Sequence, residues 1–300
     1  MTQEEEIKQE QAKMPKLDLS KVANMDALDS ADKSAVKKAV EVNKNNARKA
    51  AKRKFNFTEA VAFPLPSKGR FYSDSPDEDL RNGIVKINPM SLADEEIITN
   101  KAYLKNGNMF RILFDSCMES EYDSKELLQY DVLFMMYCLR NISYGDDYKF
   151  QVTCSECGKE FEYDMNVSDI DWEEIPSTVV DERDIKLPIS KYTVRMRLPR
   201  LKDDEEENML KMRHEDDPMY TDSAVTLWSK TLSIRDPNGQ EIPPTDWIEF
   251  FDCLPTLDRN KINESFADSV NQPKTDIVCP KCGKHMRFDV PISGDFFRIK

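Results

Sequence analysis

One cysteine pattern occurs twice in this chain, at positions far apart in the sequence. Cys154 and Cys157 lie in the stretch QVTCSECGKEFEYDM, and Cys279 and Cys282 lie in DIVCPKCGKHMRFDV. A C-x-x-C turn can direct two sulfur atoms at one ion but not four, whereas zinc in a structural site binds four ligands tetrahedrally. We therefore predict that the two turns are halves of one zinc site, with Cys154, Cys157, Cys279 and Cys282 as its ligands.

Apolar and polar side chains alternate on both sides of each turn. The apolar members are Phe150, Val152, Phe161 and Tyr163 around the first turn, and Ile277, Met286, Phe288 and Val290 around the second. Such alternation predicts a β-hairpin with the cysteines at its tip, and two facing hairpins form a zinc ribbon. The pairs are about 120 residues apart, against roughly 15 to 20 in a compact ribbon. We therefore expect a split ribbon that carries a domain-sized insertion.

Two other uses of paired cysteines remain open. A redox dithiol needs one C-x-x-C pair near a βαβ unit, whereas this chain has two matched pairs, each followed by Gly-Lys. Disulfides form in an oxidising compartment, and the Glu-, Gln- and Lys-rich start of the chain does not resemble a secretory signal. We favour zinc over both. Because four thiolates leave no position for water, the zinc is expected to be structural rather than catalytic.

Length and charge limit the classes of function. The chain has 300 residues and a net charge of −13, so it can form a sizeable core, and most of its surface would repel nucleic acid and membrane headgroups. No apolar run approaches the roughly 18 residues of a transmembrane helix. We expect a soluble protein in a reducing cytoplasm, with Cys117, Cys138 and Cys253 as buried core thiols.

The predicted fold class is α+β, with a helical N-terminal domain and a split four-cysteine zinc ribbon that carries a large α+β insertion. The predicted segments are an arm (1–57, acidic then basic), an α+β domain (58–150), the ribbon (151–170 and 271–300) and the insertion (171–270). A helix with apolar residues on nearly all faces between Leu127 and Leu139 is expected at the centre of the second segment. The basic stretch 33–54 predicts a helix that binds an acidic protein surface or nucleic acid, or a solvated helical arm.

No residue is predicted to be catalytic. Asp131 and Arg140, near the ends of the central helix, are expected to pair or cap. The acidic run 203–207 is expected to be a solvated helix face. Met209 and Met212, further along the same charged helix, are expected to pack against the protein. The sequence contains neither the H-E-x-x-H zinc motif nor a phosphate-binding or nucleophile-elbow glycine motif. We therefore expect no enzymatic activity.

The order of several motifs resembles a known family. These motifs are LPSKGRFY, IVKINPMSLADEEIIT, LRNISYGDDY, CSECG, WIEFFDCLPTLDRNKI, CPKCG and DFFRIK. Together they resemble the baseplate hub assembly and baseplate proteins of T-even-like contractile-tailed bacteriophages, over roughly residues 60–300.

The resemblance implies a non-enzymatic tail protein that acts as an assembly factor (a chaperone of the hub) or as a hub component. It also implies other baseplate proteins as partners, a place in the host cytoplasm during assembly or in the virion baseplate, and zinc ligands at the same four cysteines. The alternative is a zinc-ribbon accessory factor that binds nucleic acid through the basic helix 33–54.

Overall fold

Helices and short antiparallel sheets alternate along the chain. The computed structural model describes residues 59–170, 172–215, 217, 220–266, 274–290, 292, 296 and 297, which belong to one unit, Thr58–Lys300. The predicted arm 1–57, with its basic helix, lies outside the described residues. The mixture of helix and sheet agrees with the predicted α+β class. None of the described helices is long and apolar enough to cross a membrane.

The first part of the described chain contains β1 (Val61–Pro64), α1 (Glu78–Arg81), β2 (Ile84–Ile87), α2 (Leu92–Thr99), α3 (Lys101–Asn106), α4 (Met109–Cys117) and α5 (Gln129–Tyr144). The second part contains β3 (Asp147–Thr153), β4 (Glu160–Asn166), β5 (Glu182–Lys186), β6 (Thr193–Arg197), α6 (Leu201–Arg213), α7 (Asp222–Lys230), β7 (Thr231–Arg235), α8 (Trp247–Asp252), α9 (Thr256–Phe266), β8 (Lys274–Val278) and β9 (His285–Asp289). The antiparallel sheets are β1–β2, β3–β4, β5–β6–β7 and β8–β9.

Helix α5 lies at the centre of the larger of two hydrophobic cores, as its apolar faces predict. Met135 and Leu139 are fully buried there. Asp131, in its first turn, is also fully buried. Its carboxylate accepts hydrogen bonds from the Tyr72 hydroxyl at 2.6 Å and from the Ser67 N–H at 3.1 Å. Asp131 therefore fixes the start of α5 to the segment after β1, which is the pairing role expected of it.

The insertion has a hydrophobic core of its own. Strands β5, β6 and β7 pack against α7, α8 and α9 around Ile185, Val194, Ile234, Phe251 and Ile262. The segment SAVTLWSKTLSI could be one continuous helix by its sequence, but the structure divides it into a helix and a strand. Helix α7 ends at Lys230, and the next residues form β7, in which Ile234 pairs with Val194 of β6. β7 has only five residues, too few for the spacing of its apolar side chains to distinguish it from the end of a helix.

The acidic run at the start of α6 is not the solvated face that was predicted. Asp203 is fully buried and pairs with Arg197 of β6 at 2.6 Å. Glu205 pairs with Arg111 of α4 at 3.1 Å. Since α4 belongs to the larger core and β6 to the insertion, these carboxylates connect the two.

The other side of α6 also differs from expectation. Met209 and Met212, which were expected to pack, are 41% and 40% exposed. Asp203 and Glu205 face the protein because their arginine partners lie on neighbouring elements, whereas the two methionines face water.

A pH-dependent stability is expected from Asp204 in the same run. Burial, followed by the nearby charges of Glu207 and Asp203, raises the pKa of Asp204 to about 6. A carboxyl whose folded-state pKa exceeds its unfolded value binds its proton more tightly in the folded state, so stability is lost as pH rises through about 4 to 6. Asp204→Asn, which can still accept from Gln129, should therefore increase the free energy of unfolding at pH 7.5 by about 2 kcal/mol.

Urea unfolding at pH 4 and at pH 7.5 measures this difference. The gain should be nearly absent at pH 4. In the control Asp222→Asn no gain is expected at neutral pH, because a hydrogen bond from Lys211 lowers the pKa of that carboxyl. An equal gain from Asp204→Asn at both pH values would show that ionisation of Asp204 is not its cause.

Candidate metal centre

Each cysteine pair lies on a tight turn at the tip of a two-stranded hairpin, as the alternating pattern predicts. In the first turn the Cys154 N–H donates to the Lys159 carbonyl at 2.9 Å, and the Gly158 N–H donates to the Cys154 carbonyl at 3.0 Å. The second turn, 279–284, repeats both bonds at 2.9 Å. Gly158 and Gly283 have φ angles of 65° and 71°. Glycine follows both pairs because each turn requires this left-handed conformation.

The two hairpin tips bring the four cysteine sulfurs together. All four Sγ atoms lie within 4.8 Å of one another. The distance is 3.6 Å between the sulfurs of Cys154 and Cys282, and 3.8 Å between those of Cys157 and Cys279. Four sulfurs about 2.3 Å from a tetrahedral zinc would be about 3.8 Å apart. The cluster is therefore compatible with a zinc ion bound by both turns.

Backbone N–H groups in the turns favour thiolates. The N–H groups of Cys157 and Glu156 lower the pKa of the Cys154 thiol. In the second turn the N–H of Cys282, followed by that of Lys281, lowers the pKa of the Cys279 thiol to about 6. Because zinc binds the thiolate form of cysteine, the N–H groups that shape the turns also prepare Cys154 and Cys279 as metal donors. Although the Lys284 N–H opposes the shift, burial and the neighbouring thiols raise the pKa of Cys282 to about 12, so this preparation does not extend to all four cysteines.

Aromatic and aliphatic side chains hold the two hairpins together below the cysteines. Phe150 of β3 stacks on Phe288 of β9, with ring centroids 5.9 Å apart. Val152 and Ile277, on the strands that lead into the turns, are almost fully buried in the larger core. The Tyr137 hydroxyl of α5 donates to the Val290 carbonyl at 3.2 Å. The cysteine cluster therefore lies on a support that includes the central helix.

Phe296 and Phe297, near the C-terminal end of the chain, also belong to this support and were not predicted from the sequence. Phe296 is fully buried, and its ring centroid lies 5.0 Å from those of Tyr137 and Tyr148. The Arg140 guanidinium lies 5.6 Å from the Phe296 ring centroid and 5.2 Å from that of Tyr148, and it donates to the Asp147 carbonyl. Arg140 thus contributes to the packing of the aromatic side chains at the end of α5. The two adjacent phenylalanines of DFFRIK were the sequence signal from which a buried segment could have been predicted.

The three remaining cysteines lie outside the cluster. Cys117 and Cys138 are buried, as predicted. Cys253 is exposed, so the prediction of a core thiol was wrong for this residue. It follows the last residue of the short helix α8, and its apolar sequence neighbours contribute to the insertion core while Cys253 itself faces water.

Comparison with known proteins gives one match. A family model described as "T4 bacteriophage base plate protein" matches residues 63–298. No curated protein matches the chain, and no solved structure does. The matched range includes all four cysteines of the cluster, the central helix α5 and the hydrophobic core of the insertion.

Proposed function

The chain belongs to the family of T4 bacteriophage base plate proteins, and from this premise we propose that it is a non-enzymatic tail protein of the baseplate hub. It acts either as an assembly factor or as a structural component, with other baseplate and tail hub proteins as partners. The proposal is carried by the family match over residues 63–298. The protein acts in the host cytoplasm during assembly and, as a component, remains in the virion baseplate.

The four clustered cysteines are the ligands of one structural zinc in this proposal. The donor set, the sulfur spacing and the N–H groups directed at the thiols support the assignment. The ion would join residues 122 and 128 positions apart in sequence. Structural zinc contributes on the order of 10 kcal/mol in small zinc-dependent domains. A metal clamp of this strength suits a protein that must present fixed surfaces to several partners.

A non-enzymatic role agrees with how the buried carboxylates are used. Asp131, Asp203 and Asp258 are all fully buried. The first accepts from Tyr72, the second pairs with Arg197, and the third accepts two backbone N–H groups. Each carboxylate thus has a structural partner. A shell of four thiolates would likewise leave the zinc no position for a substrate or water.

We also propose a division of the chain into four parts. The arm (1–57) precedes a domain built on α5 (58–150), and the split ribbon (151–170 and 271–300) carries the insertion (171–270). The separate core of the insertion supports its treatment as a unit. The packing of the ribbon strands in the larger core supports a fixed position of the ribbon on α5.

Complementation of baseplate assembly tests the proposed function. Infection with the gene disabled should yield incomplete baseplates, and purified full-length protein added to the extract should restore complete ones. Mass spectrometry of finished particles then separates a retained component from an assembly factor. Complete baseplates in the absence of the gene would contradict the proposal. Co-purified nucleic acid that is released steeply by salt would instead favour the alternative function of the basic stretch 33–54.

A further inference from the structure

Strand β1 is the open edge of a small sheet. Its partner β2 is covered on the other side, because the Asn88 N–H donates to the Cys117 carbonyl at 2.8 Å and the Glu119 N–H donates to the Lys86 carbonyl at 2.9 Å. Strand β1 pairs with β2 alone within the described part of the chain. The outer edge of β1 is therefore the place where another strand can be added to this sheet.

The register of the sheet identifies the backbone groups of β1 that point away from β2. The Leu65 N–H, directly after β1, donates to the Gly83 carbonyl at 2.7 Å. In an antiparallel pair, successive residues direct their N–H and C=O groups alternately toward the partner and away from it. The groups of Phe63 therefore face β2, whereas the N–H and C=O of Ala62 and the C=O of Pro64 face outward. Among the described residues, none forms a backbone hydrogen bond with these outward groups.

The outer face of this sheet is formed by Ala62, Pro64, Ile84 and Lys86, all of which are exposed. Pro64 lies directly opposite Ile84 in the register, and Ala62 lies opposite Lys86, so the two side chains of each pair are neighbours. Strand β1 carries no charged residue, although charges commonly protect edge strands from pairing. The edge at Ala62 is therefore apolar, exposed and open.

Carboxylates predominate among the charged groups beside the outer face. The Lys86 ammonium pairs with the Asp79 carboxylate at 2.5 Å. The hydrogen bond and charge of Asp79, followed by the charges of Asp77 and Glu119, raise the pKa of Lys86. One ammonium is thus shared among three carboxylates, which leaves an excess of negative charge. This excess attracts a basic segment and repels a second copy of the same surface.

The other basic side chains of residues 59–88 are engaged elsewhere and do not offset the excess. Their contacts are those of Lys68 with the Glu174 carboxylate at 2.5 Å, Arg70 with the Ile175 carbonyl at 2.8 Å and Arg81 with the Ser75 carbonyl at 2.5 Å. Glu59 and Glu78, from the same residues, are exposed and add negative charge.

We propose that the outer edge of β1 is a docking site for an extended basic segment of another baseplate subunit, which adds to the sheet as a further strand. This inference rests on the proposed function and adds to it the site and the chemistry of the contact. The segment accepts from the Ala62 N–H and donates to the Ala62 carbonyl. An added strand lies about 10 Å from β2, a distance that a Lys or Arg side chain and a carboxylate side chain span together.

Hydrogen exchange measured by mass spectrometry tests the open edge in the wild-type chain. The probe is the incomplete baseplate isolated from an infection in which the gene for this chain is disabled. In the free full-length chain the Ala62 N–H should exchange rapidly and the Phe63 N–H slowly. On binding, exchange at Ala62 should slow at least about tenfold while Phe63 changes little. Unchanged exchange at Ala62 would overturn the site, and slow exchange at Ala62 in the free chain would show that the edge is already occupied.

Sedimentation binding to the same baseplates tests the hydrogen bond. Ala62→Pro removes only an outward N–H and leaves the bonds to β2 in place, as prolines on sheet edges do. It should bind about tenfold more weakly with an unchanged urea unfolding midpoint. The control Ala62→Ser retains the N–H and should bind as the wild type does. Equal binding by Ala62→Pro and wild type would contradict strand addition.

The salt dependence of binding tests the basic character of the segment. Wild-type binding should weaken with salt, and Asp79→Asn/Glu119→Gln should reduce that dependence. The matched control Asp184→Asn/Glu264→Gln removes two exposed carboxylates of the insertion and should keep the wild-type dependence. The same salt dependence in both double variants would overturn the assignment of a basic partner.

The outcomes distinguish this inference from the function on which it rests. A wild-type chain that fails to bind the baseplates overturns both. Wild-type binding that leaves the Ala62 N–H unprotected overturns the docking site alone. Self-association of the wild type in sedimentation equilibrium, lost in Ala62→Pro, would show that a second copy occupies the edge and would overturn the choice of another subunit.

Discussion

Cys279→Ser is expected to abolish stoichiometric zinc binding and to release the C-terminal hairpin from the larger core. Removal of one thiolate leaves three ligands, and the ion then no longer holds the two turns together. Structural zinc contributes on the order of 10 kcal/mol to the stability of small domains, and this is comparable to the whole stability of many proteins. The variant is expected to lose part of this contribution. Elemental analysis of the purified chain measures the zinc, and limited proteolysis followed by mass spectrometry locates the released segment.

Two controls separate the metal site from general effects of cysteine substitution. Cys154→Ser, in the other hairpin, should produce the same loss of zinc and the same proteolysis near the C-terminal hairpin, since both halves share one ion. Cys253→Ser changes an exposed thiol outside the cluster and should leave both measurements as in the wild type. Unaltered zinc content in Cys279→Ser would show that the two turns do not bind a common ion.

The alternation of apolar residues around the cysteines was sufficient to predict the two hairpins. A half-buried strand places every second side chain in the core, so Phe150, Val152 and Ile277 indicated both the strands and their inward faces. The start of α2 has an equally local signal, because the Asp94 carboxylate accepts the Ser91 N–H three residues away. Features that depend on such short intervals leave their signal in the sequence itself.

Features that depend on distant partners could not be read in this way. Whether Asp203 is solvated depends on where Arg197 lies once β6 is paired in the sheet. The strand character of β7 is set by its pairing with β6, because five residues are too few for their own apolar spacing to separate a strand from the end of a helix. The cluster itself was an exception: the repeated C-x-x-C-G-K pattern marks two distant segments as halves of one structure, because a single turn cannot complete the shell of a metal ion.

Phe296→Ala is expected to be the most destabilising single substitution outside the cysteine cluster. The ring is fully buried and packs edge-to-face on Tyr137, Tyr148 and Phe297, with the Arg140 guanidinium above it. Truncation of a buried phenylalanine to alanine typically costs about 3–5 kcal/mol. Loss of the ring also removes a cation–π contact with the Arg140 guanidinium. Urea unfolding at constant pH gives the change in the free energy of unfolding.

The metal content of the same variant tests whether zinc binding by the cysteine cluster depends on the packing of Phe296. The four cysteines lie on turns closed by their own backbone hydrogen bonds, so Phe296→Ala should still bind one zinc per chain at low temperature while unfolding earlier. Phe296→Leu retains most of the apolar volume and should lose less than half as much stability as the alanine variant. An unchanged unfolding midpoint in Phe296→Ala would mean that the Phe296 ring does not contribute to the stability of the larger core.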